Sequence, residues 1–379
     1  VSAPSGFSEV WAVLDGQVES GRFPGYAAAV RHGDHTEIRT AGRTSLGGST
    51  PMRPDTVFRI ASLSKIVGAA LVLRLAGTGA FGLDSAVSRW LPELASPRVL
   101  SRPDAELADT VPAERPIVVR DLLTFTFGLG FVLHDCPLSR AMAERGLMPG
   151  PDEAEVGPDE LMSRYATLPL AYQPGERWLY HTGADLTGVL VARALGRPLS
   201  ALLSEYVTEP LGMGSTGFFA ADVSRVAASY RPGPSGLEPD DPGNTAVTQP
   251  PAFESMGAGL VSTVEDYLSF LQAFLVPTSV LDAQTVRLMT GDSLTRGQRQ
   301  GVEELMGPGV SWGMGAGLDL ERVRPWMRPG RFWWNGGSGT TACVDPGNEL
   351  AAVLLTQRMM ASPTGEFDDF WRAVYARLD

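Results

Sequence analysis

Lysine is almost absent from this chain. Of its 31 basic residues only Lys65 is a lysine, and the rest are arginine. Cysteine is nearly as scarce: Cys136 and Cys343 are far too few for a disulfide scaffold and read as unpaired, partly buried thiols. Basic charge is the minority sign, with 43 acidic residues and a net charge of -12. That balance argues against a nucleic-acid partner, because phosphate binding needs a basic face. Long apolar runs are missing as well. AAVLLTQ and GAALVLRLAG are too short or too interrupted to span a bilayer, so no membrane span is expected. No signal-peptide pattern opens the chain, which tilts the expectation toward the cytoplasm and leaves the compartment open.

Several motifs are also missing. No G-x-S-x-G elbow occurs, and the four histidines (His32, His35, His134 and His181) give a Ser-His-Asp triad little to build on. Without H-E-x-x-H or C-x-x-C, no zinc site is expected. WNGGSGTT (334–341) lacks the G-K-[ST] ending of a phosphate loop, and GMGAG (313–317) completes no dinucleotide fingerprint. Those glycines read as tight turns around strands.

The 379 residues, 44% of them hydrophobic, suffice for one sizeable core or two interlocked domains. FSEVWAVLDGQVESG (7–21) has helical periodicity, and YAAAVRH (26–32) and TEIRTAG (36–42) read as strands joined by a turn. IASLSKIVGAALVLRLAGTG (60–79) reads as a helix opening near Ser62 and closing at Gly77–Gly79. LDSAVSRWLPEL, VVRDLLTFTFGLG and DLTGVLVARALGRPLSALLSEYV lean to helix, residues 143–160 and 231–251 to loop, and STVEDYLSFLQAFL (262–275) to helix. RFWWNGG, TTACVDP and ELAAVLLTQ read as three successive strands, and FDDFWRAVYARL (367–378) as a closing helix. Strands at both ends and helices between predict an α/β domain of the α+β type, built from residues 1–75 and 255–379, with a mostly helical domain over 76–254.

Within ASLSK, Ser62 and Lys65 stand three apart, which on a helix puts both on one face. A helix start supplies free N–H groups and the positive dipole end, which favour developing negative charge. A serine hydroxyl is a poor nucleophile until a base takes its proton. A desolvated lysine can do so as the neutral amine, whereas a guanidinium stays protonated. The lone lysine therefore sits where an amine is chemically required, although S-x-x-K spacing by itself arises readily by chance. Tyr180, just before a helix expected near Ala184, reads either as core or as a hydroxyl able to relay protons.

Taken in order, DTVFRIASLSK (55–65), IVVRDLLTFTFGLG (117–130), YQPGERWLYHTGADLTGVL (172–190), GAGLVSTVEDYLSFLQ (257–272) and GSGTTACVDP (337–346) resemble landmarks of the serine β-lactamase and penicillin-binding-protein superfamily. Within it, the chain is most similar to the class C β-lactamase-like esterases, the family VIII carboxylesterases. The resemblance implies a mainly antiparallel sheet flanked by helices, an inserted helical domain, and a site in the cleft between. It makes Ser62 the acylated nucleophile, Lys65 the neighbouring amine, and Tyr180 the tyrosine of Y-x-N, general base and then general acid. The family's K-T-G element aligns with Trp334, Asn335 and Gly336, and Gly337 and Ser62 would lend the oxyanion hole their N–H groups. No metal or organic cofactor is implied.

Two departures bear on substrate. Trp334 replaces the K-T-G lysine that faces a substrate carboxylate, and no second lysine exists to substitute for it. This favours an uncharged or apolar acyl group, although Arg324, Arg328 or Arg331 could supply charge from nearby. Thr182 replaces the asparagine of Y-x-N, which in the family holds substrate amides. Phe125, Phe127 and Phe131 are candidates for an acyl pocket, with core positions equally good for each. The expectation is a small-molecule carboxylic ester cleaved through an acyl-enzyme on Ser62. The alternatives are acyl transfer to an amine or alcohol in secondary metabolism, a D-stereospecific peptidase or weak β-lactamase, and a non-catalytic binding module. Oligomeric state is not readable.

Overall fold

A computed structural model describes residues 6–150, 156–241 and 243–378. Residues 151–155 of the expected acidic loop lie outside the described residues.

Helix α1 (Ser8–Glu19) buries Val10, Trp11 and Leu14 on one stripe. Strands β1 (Gly25–His32) and β2 (His35–Gly42) form a hairpin whose two-residue loop starts at Gly33, with φ +57. The buried helix α2 (Ser64–Gly77) follows, then a helical middle region that includes α3 (Thr182–Leu195). Helix α4 (Val264–Gln272) leads back to strands β3 (Val310–Trp312), β4 (Gly317–Asp319), β5 (Phe332–Gly336), β6 (Thr340–Asp345) and β7 (Leu350–Thr356), and α5 (Asp368–Ala376) closes the chain.

These strands make one antiparallel sheet in the order β2-β1-β7-β6-β5-β4-β3. Pairing of β1 with β7 joins residues 26–32 to 350–356, so the sheet is built from both ends of the sequence. Every residue of β7 (LAAVLLT) is buried, as expected for a central strand covered on both faces. Edge strand β2 places the charged Arg39 and the polar His35 and Thr36 at exposed positions, which discourages pairing with another chain. Helix α2 is apolar nearly all round, as a helix inside a core must be.

The middle region departs from the helical reading in places. LDSAVSRWLPEL makes only two 3₁₀ turns, Val87–Arg89 and Pro92–Leu94, because Pro92 cannot continue a helix. VVRDLLTFTFGLG is helical for five residues, Val119–Leu123, before Phe125 turns the chain at φ +57. α3 ends at Gly196 in the left-handed conformation, and the chain resumes as a short helix at Leu199–Leu203. The segment expected as loop holds a hairpin, Tyr230–Gly233 with Gly236–Pro239, masked in sequence by its glycines and prolines. Strands β3 and β4, three residues each, and the helices Ala283–Thr290 and Arg296–Met306 had no counterpart in the sequence reading. Among the described residues no single helix is long and apolar enough to cross a membrane.

Candidate active site

Ser62 lies in a 3₁₀ turn, Ala61–Leu63, that leads directly into α2. Ala61 has φ +41, a conformation that L-residues adopt at a cost and that occurs here beside the expected nucleophile. The turn is fixed from above by the β5–β6 connection: Ser338 Oγ donates to Arg59 O at 2.6 Å and Thr340 Oγ1 to Ile60 O at 3.1 Å. Contact is so close at Gly336 that a Cβ there would stand 2.3 Å from Ile60 O, which requires glycine.

One helical turn on, Lys65 is 2% exposed. Its Nζ lies 3.0 Å from Ser62 Oγ, 2.5 Å from Gly257 O and 3.1 Å from His181 Nδ1. It also sits 4.6 Å from the Tyr180 ring centre. Burial lowers its pKa from 10.5 to about 7, against an opposing pull from the Asp185 carboxylate. An ordinary surface lysine is fully protonated at neutral pH; this amine is divided between ammonium and base.

Tyr180 ends the extended stretch before α3. Its ring is enclosed by Phe125, Trp178, Trp312 and Trp334, with centroid separations of 5.9, 5.7, 6.3 and 5.2 Å. Trp334 Nε1 donates to the Tyr180 hydroxyl oxygen at 2.6 Å, which leaves the phenol proton free to turn toward Ser62. Burial raises the phenol pKa well above its usual 10, so the hydroxyl is protonated at working pH.

The structure brings in two groups that sequence reasoning left out. His181 lies beneath Lys65, and its Nε2 faces Asp185 Oδ2 at 3.3 Å. Asp185 also accepts from Ser255 Oγ at 2.7 Å and from the Gly257 N–H at 2.8 Å. These bonds, with His181 first, hold its pKa below the usual value despite burial. Burial and the adjacent Lys65 lower the His181 pKa, so the imidazole is neutral. The signal that could have found them is the i, i+4 spacing of His181 and Asp185 at a helix start, directly after Tyr180.

These groups open onto a cavity of about 350 Å³ lined by Ser62, Tyr180, His181, Trp334, Asn335 and Gly337 at its reactive end. Phe131, Leu305, Met306, Met360 and Pro363 line much of the remainder, and among the described residues no Arg, Asp or Glu lines it. Arg331 is buried against Asp319 at 3.3 Å and Arg324 pairs with Asp368 at 3.3 Å; Arg328 donates to Pro325 O and Met327 O. All three expected charge sources are thus outside this cavity.

Of the expected substrate-binding residues, Trp334 and Asn335 line the cavity, whereas Gly336 packs on Ile60 beneath it. Two others are elsewhere. Phe127 is fully buried and lines a separate hollow with Leu129, Tyr165 and Leu186, in a segment that the positive φ of Phe125 and Gly128 turns back on itself. Thr182 is fully buried at the first position of α3, beside Tyr165 and away from the cavity lining, and the residue against Lys65 is His181. Phe131 reaches the cavity, and Phe125 supports Tyr180 from behind. The N–H of Gly337 enters no turn or loop hydrogen bond, although its carbonyl accepts from Met360 N at 2.9 Å. Among the described residues no group of three His, Cys, Asp or Glu side chains is arranged to hold a metal.

The chain is similar to known proteins over nearly its whole length. The family model described as Beta-lactamase matches residues 11–377. "Esterase EstB" of Burkholderia gladioli is 34% identical over 388 residues, covering 97% of this chain and 94% of the relative. "Acyltransferase calJ" of Penicillium decumbens is 28% identical over 353 residues, 86% and 82% of the two chains. In fold, the chain is similar to the solved structure of "EstCE1, a hydrolase with promiscuous acyltransferase activity", with a TM-score of 0.84 at 24% identity, covering 97% of this chain and 98% of that one.

Proposed function

The chain belongs to the beta-lactamase family, and within it we propose that this protein is a serine hydrolase cleaving small-molecule carboxylic esters through an acyl-enzyme on Ser62. The observation that carries the reading is the buried Lys65 amine, its pKa near 7, 3.0 Å from the Ser62 hydroxyl. Lys65, as the neutral amine, takes the Ser62 proton while Oγ attacks the ester carbonyl. The N–H groups of Ser62 and Gly337 receive the oxyanion. Tyr180, protonated because it is buried, hands a proton to the leaving alcohol and recovers the one held on Lys65. Water repeats the sequence on the acyl-enzyme and releases the acid. Tyr180 thus acts chiefly as proton donor, and Lys65 is the base.

The cavity supports an uncharged, largely apolar acyl group. Among the described residues no cation lines it to read a carboxylate, and Trp334, where the family's lysine stands, is engaged with the Tyr180 hydroxyl. A D-alanyl peptide or β-lactam would leave its carboxylate unpaired in a mostly apolar hollow, at a cost of several kcal/mol. The test is a panel of short and long nitrophenyl esters, a chromogenic cephalosporin and a D-alanyl amide, with Ser62→Ala as control. Esters turned over at least ~100-fold faster than the other two, with Ser62→Ala inactive, is the expected result. A cephalosporin hydrolysed as fast as the esters would overturn it.

Acyl transfer is the second reading, favoured by a relative named as an acyltransferase at 28% identity. It uses the same acyl-enzyme, and adding an alcohol or amine acceptor during ester turnover would divert product from acid to acyl-acceptor.

A further inference from the structure

We propose that His181, held by Asp185, is a positioning residue that aims the lone pair of Lys65 at the Ser62 hydroxyl. The inference rests on the serine–lysine reading given above and adds to it the group that orients the base.

A neutral amine has two N–H donors and one lone pair. Around Lys65 Nζ stand three polar partners: Gly257 O, His181 Nδ1 and Ser62 Oγ. The Gly257 carbonyl can only accept. Asp185, ionised and facing Nε2, fixes the imidazole proton on that nitrogen and leaves Nδ1 as an acceptor. Two N–H bonds are therefore committed, to Gly257 O and to Nδ1, and the one direction left for the lone pair is toward Ser62. When Lys65 takes the serine proton, the same three partners accept from the ammonium, so no group has to reorient between the two states.

The backbone shows what this placement costs. His181 has φ +86 and ψ -68. With the Thr182 N–H directed at Tyr180 O at 3.3 Å, it is the centre of a classic γ-turn, a rare and strained conformation for a residue with a Cβ. The turn puts consecutive residues on two sides of one site: Tyr180 toward Trp334 and His181 under Lys65. Gly257 makes the room, since a Cβ there would lie 2.8 Å from His181 Nε2 and 2.9 Å from Asp185 Oδ1. Strain, a buried acid and a glycine cleft converge on one imidazole nitrogen.

The titratable groups facing the pair are Lys65 from α2, Tyr180 from the preceding segment, and Tyr165 at the end of the helix Pro158–Tyr165. Of these, Lys65 alone changes charge near neutrality, so its protonation sets the pH dependence. Losing the acceptor or the carboxylate removes support from the ammonium and moves that dependence to lower pH.

The experiment measures fluorophosphonate acylation of Ser62 from pH 5 to 10 in wild type, His181→Asn, His181→Leu and Asp185→Asn, with melting temperatures for each. His181→Leu is expected to acylate about 100-fold more slowly. His181→Asn, whose amide oxygen can accept from Lys65, should keep at least about a tenth of the rate. The alkaline rise should move to lower pH in His181→Leu and in Asp185→Asn. If His181→Leu folds poorly, His181→Gly answers instead, because glycine accepts φ +86; added imidazole should restore its rate. A folded His181→Leu with wild-type rate and an unmoved rise overturns the proposal, as does a His181→Gly that imidazole leaves unrescued. Full ester turnover in Ser62→Ala would overturn the serine–lysine reading and this inference with it. A dead Ser62→Ala beside an unaltered His181→Leu would overturn this inference alone.

Discussion

Replacing Lys65 by arginine keeps a cation at the site and removes the base. At its pKa of about 7 the Lys65 amine is neutral in roughly half of the molecules at pH 7. A guanidinium with a pKa above 12 is neutral in fewer than about one in 10⁵. A positioned general base contributes about 10²–10⁴ in rate, so kcat/KM for a nitrophenyl ester should fall by about 10³ in Lys65→Arg. The larger head group must also fit where three polar atoms lie within 3.1 Å of Nζ. Melting temperature and circular dichroism therefore accompany the kinetics. Turnover within tenfold of wild type, in a folded variant, would refute the assignment of Lys65 as base.

The same reasoning gives a test on the unmodified enzyme. Acylation needs the neutral amine, so the rate rises with pH and levels off above about pH 7. Two pH units below the pKa the neutral fraction is about 1%, so kcat/KM at pH 5 should be about 50-fold below its value at pH 7. A flat profile from pH 5 to 9 would mean that the titrating amine is not the base, whatever the variant shows.

Three further outcomes follow from the same contacts. Lys65→Met should be more stable than wild type at pH 7: the folded pKa is depressed from 10.5 to about 7, so the unfolded chain holds an extra proton across that window. Wild-type stability should then rise with pH between about 7 and 10.5 by on the order of 4 kcal/mol, measured as denaturant midpoints, and Lys65→Met should lack this slope. Gly336→Ala puts a methyl 2.3 Å from Ile60 O and should push β5 off the turn that carries Ser62, lowering fluorophosphonate labelling by about 10- to 100-fold. Trp334→Phe removes the 2.6 Å bond to the Tyr180 hydroxyl and should lower kcat about five- to tenfold with a melting temperature within a few degrees of wild type.

The elements that sequence made legible are those whose pattern is local. β7 is a continuous apolar run and α5 a clean amphipathic stripe, and both stand where periodicity puts them. The strands β3 and β4 are three residues long, too short for alternation to register. The hairpin at Tyr230–Pro239 hides behind residues that normally mark loops. Helix was over-read in the middle region because apolar spacing says which side of a segment is buried, whereas Pro92 and the turn at Phe125 decide where the segment stops.

The site divides along the same line. Ser62 and Lys65 stand out because their relation is carried within one turn of one segment, and because a lone lysine among arginines marks itself. Phe127 stood as an acyl-pocket candidate or a core position alike, and the structure buries it beside a separate hollow. His181 was discounted because histidine was sought as a serine's partner, and here its contact is the lysine. Its importance lies in a γ-turn, in a carboxylate four residues on, and in a glycine 76 positions away that clears the space. Only the first two are near it in sequence, and a γ-turn at a residue with a Cβ has no sequence signature, since strain is what local propensity disfavours. Of the five described non-glycine residues with positive φ, three (Ala61, Phe125 and His181) are gathered around Lys65 and Tyr180. Tertiary packing holds them there, so their conformations are set by the rest of the molecule and become readable only once it is folded.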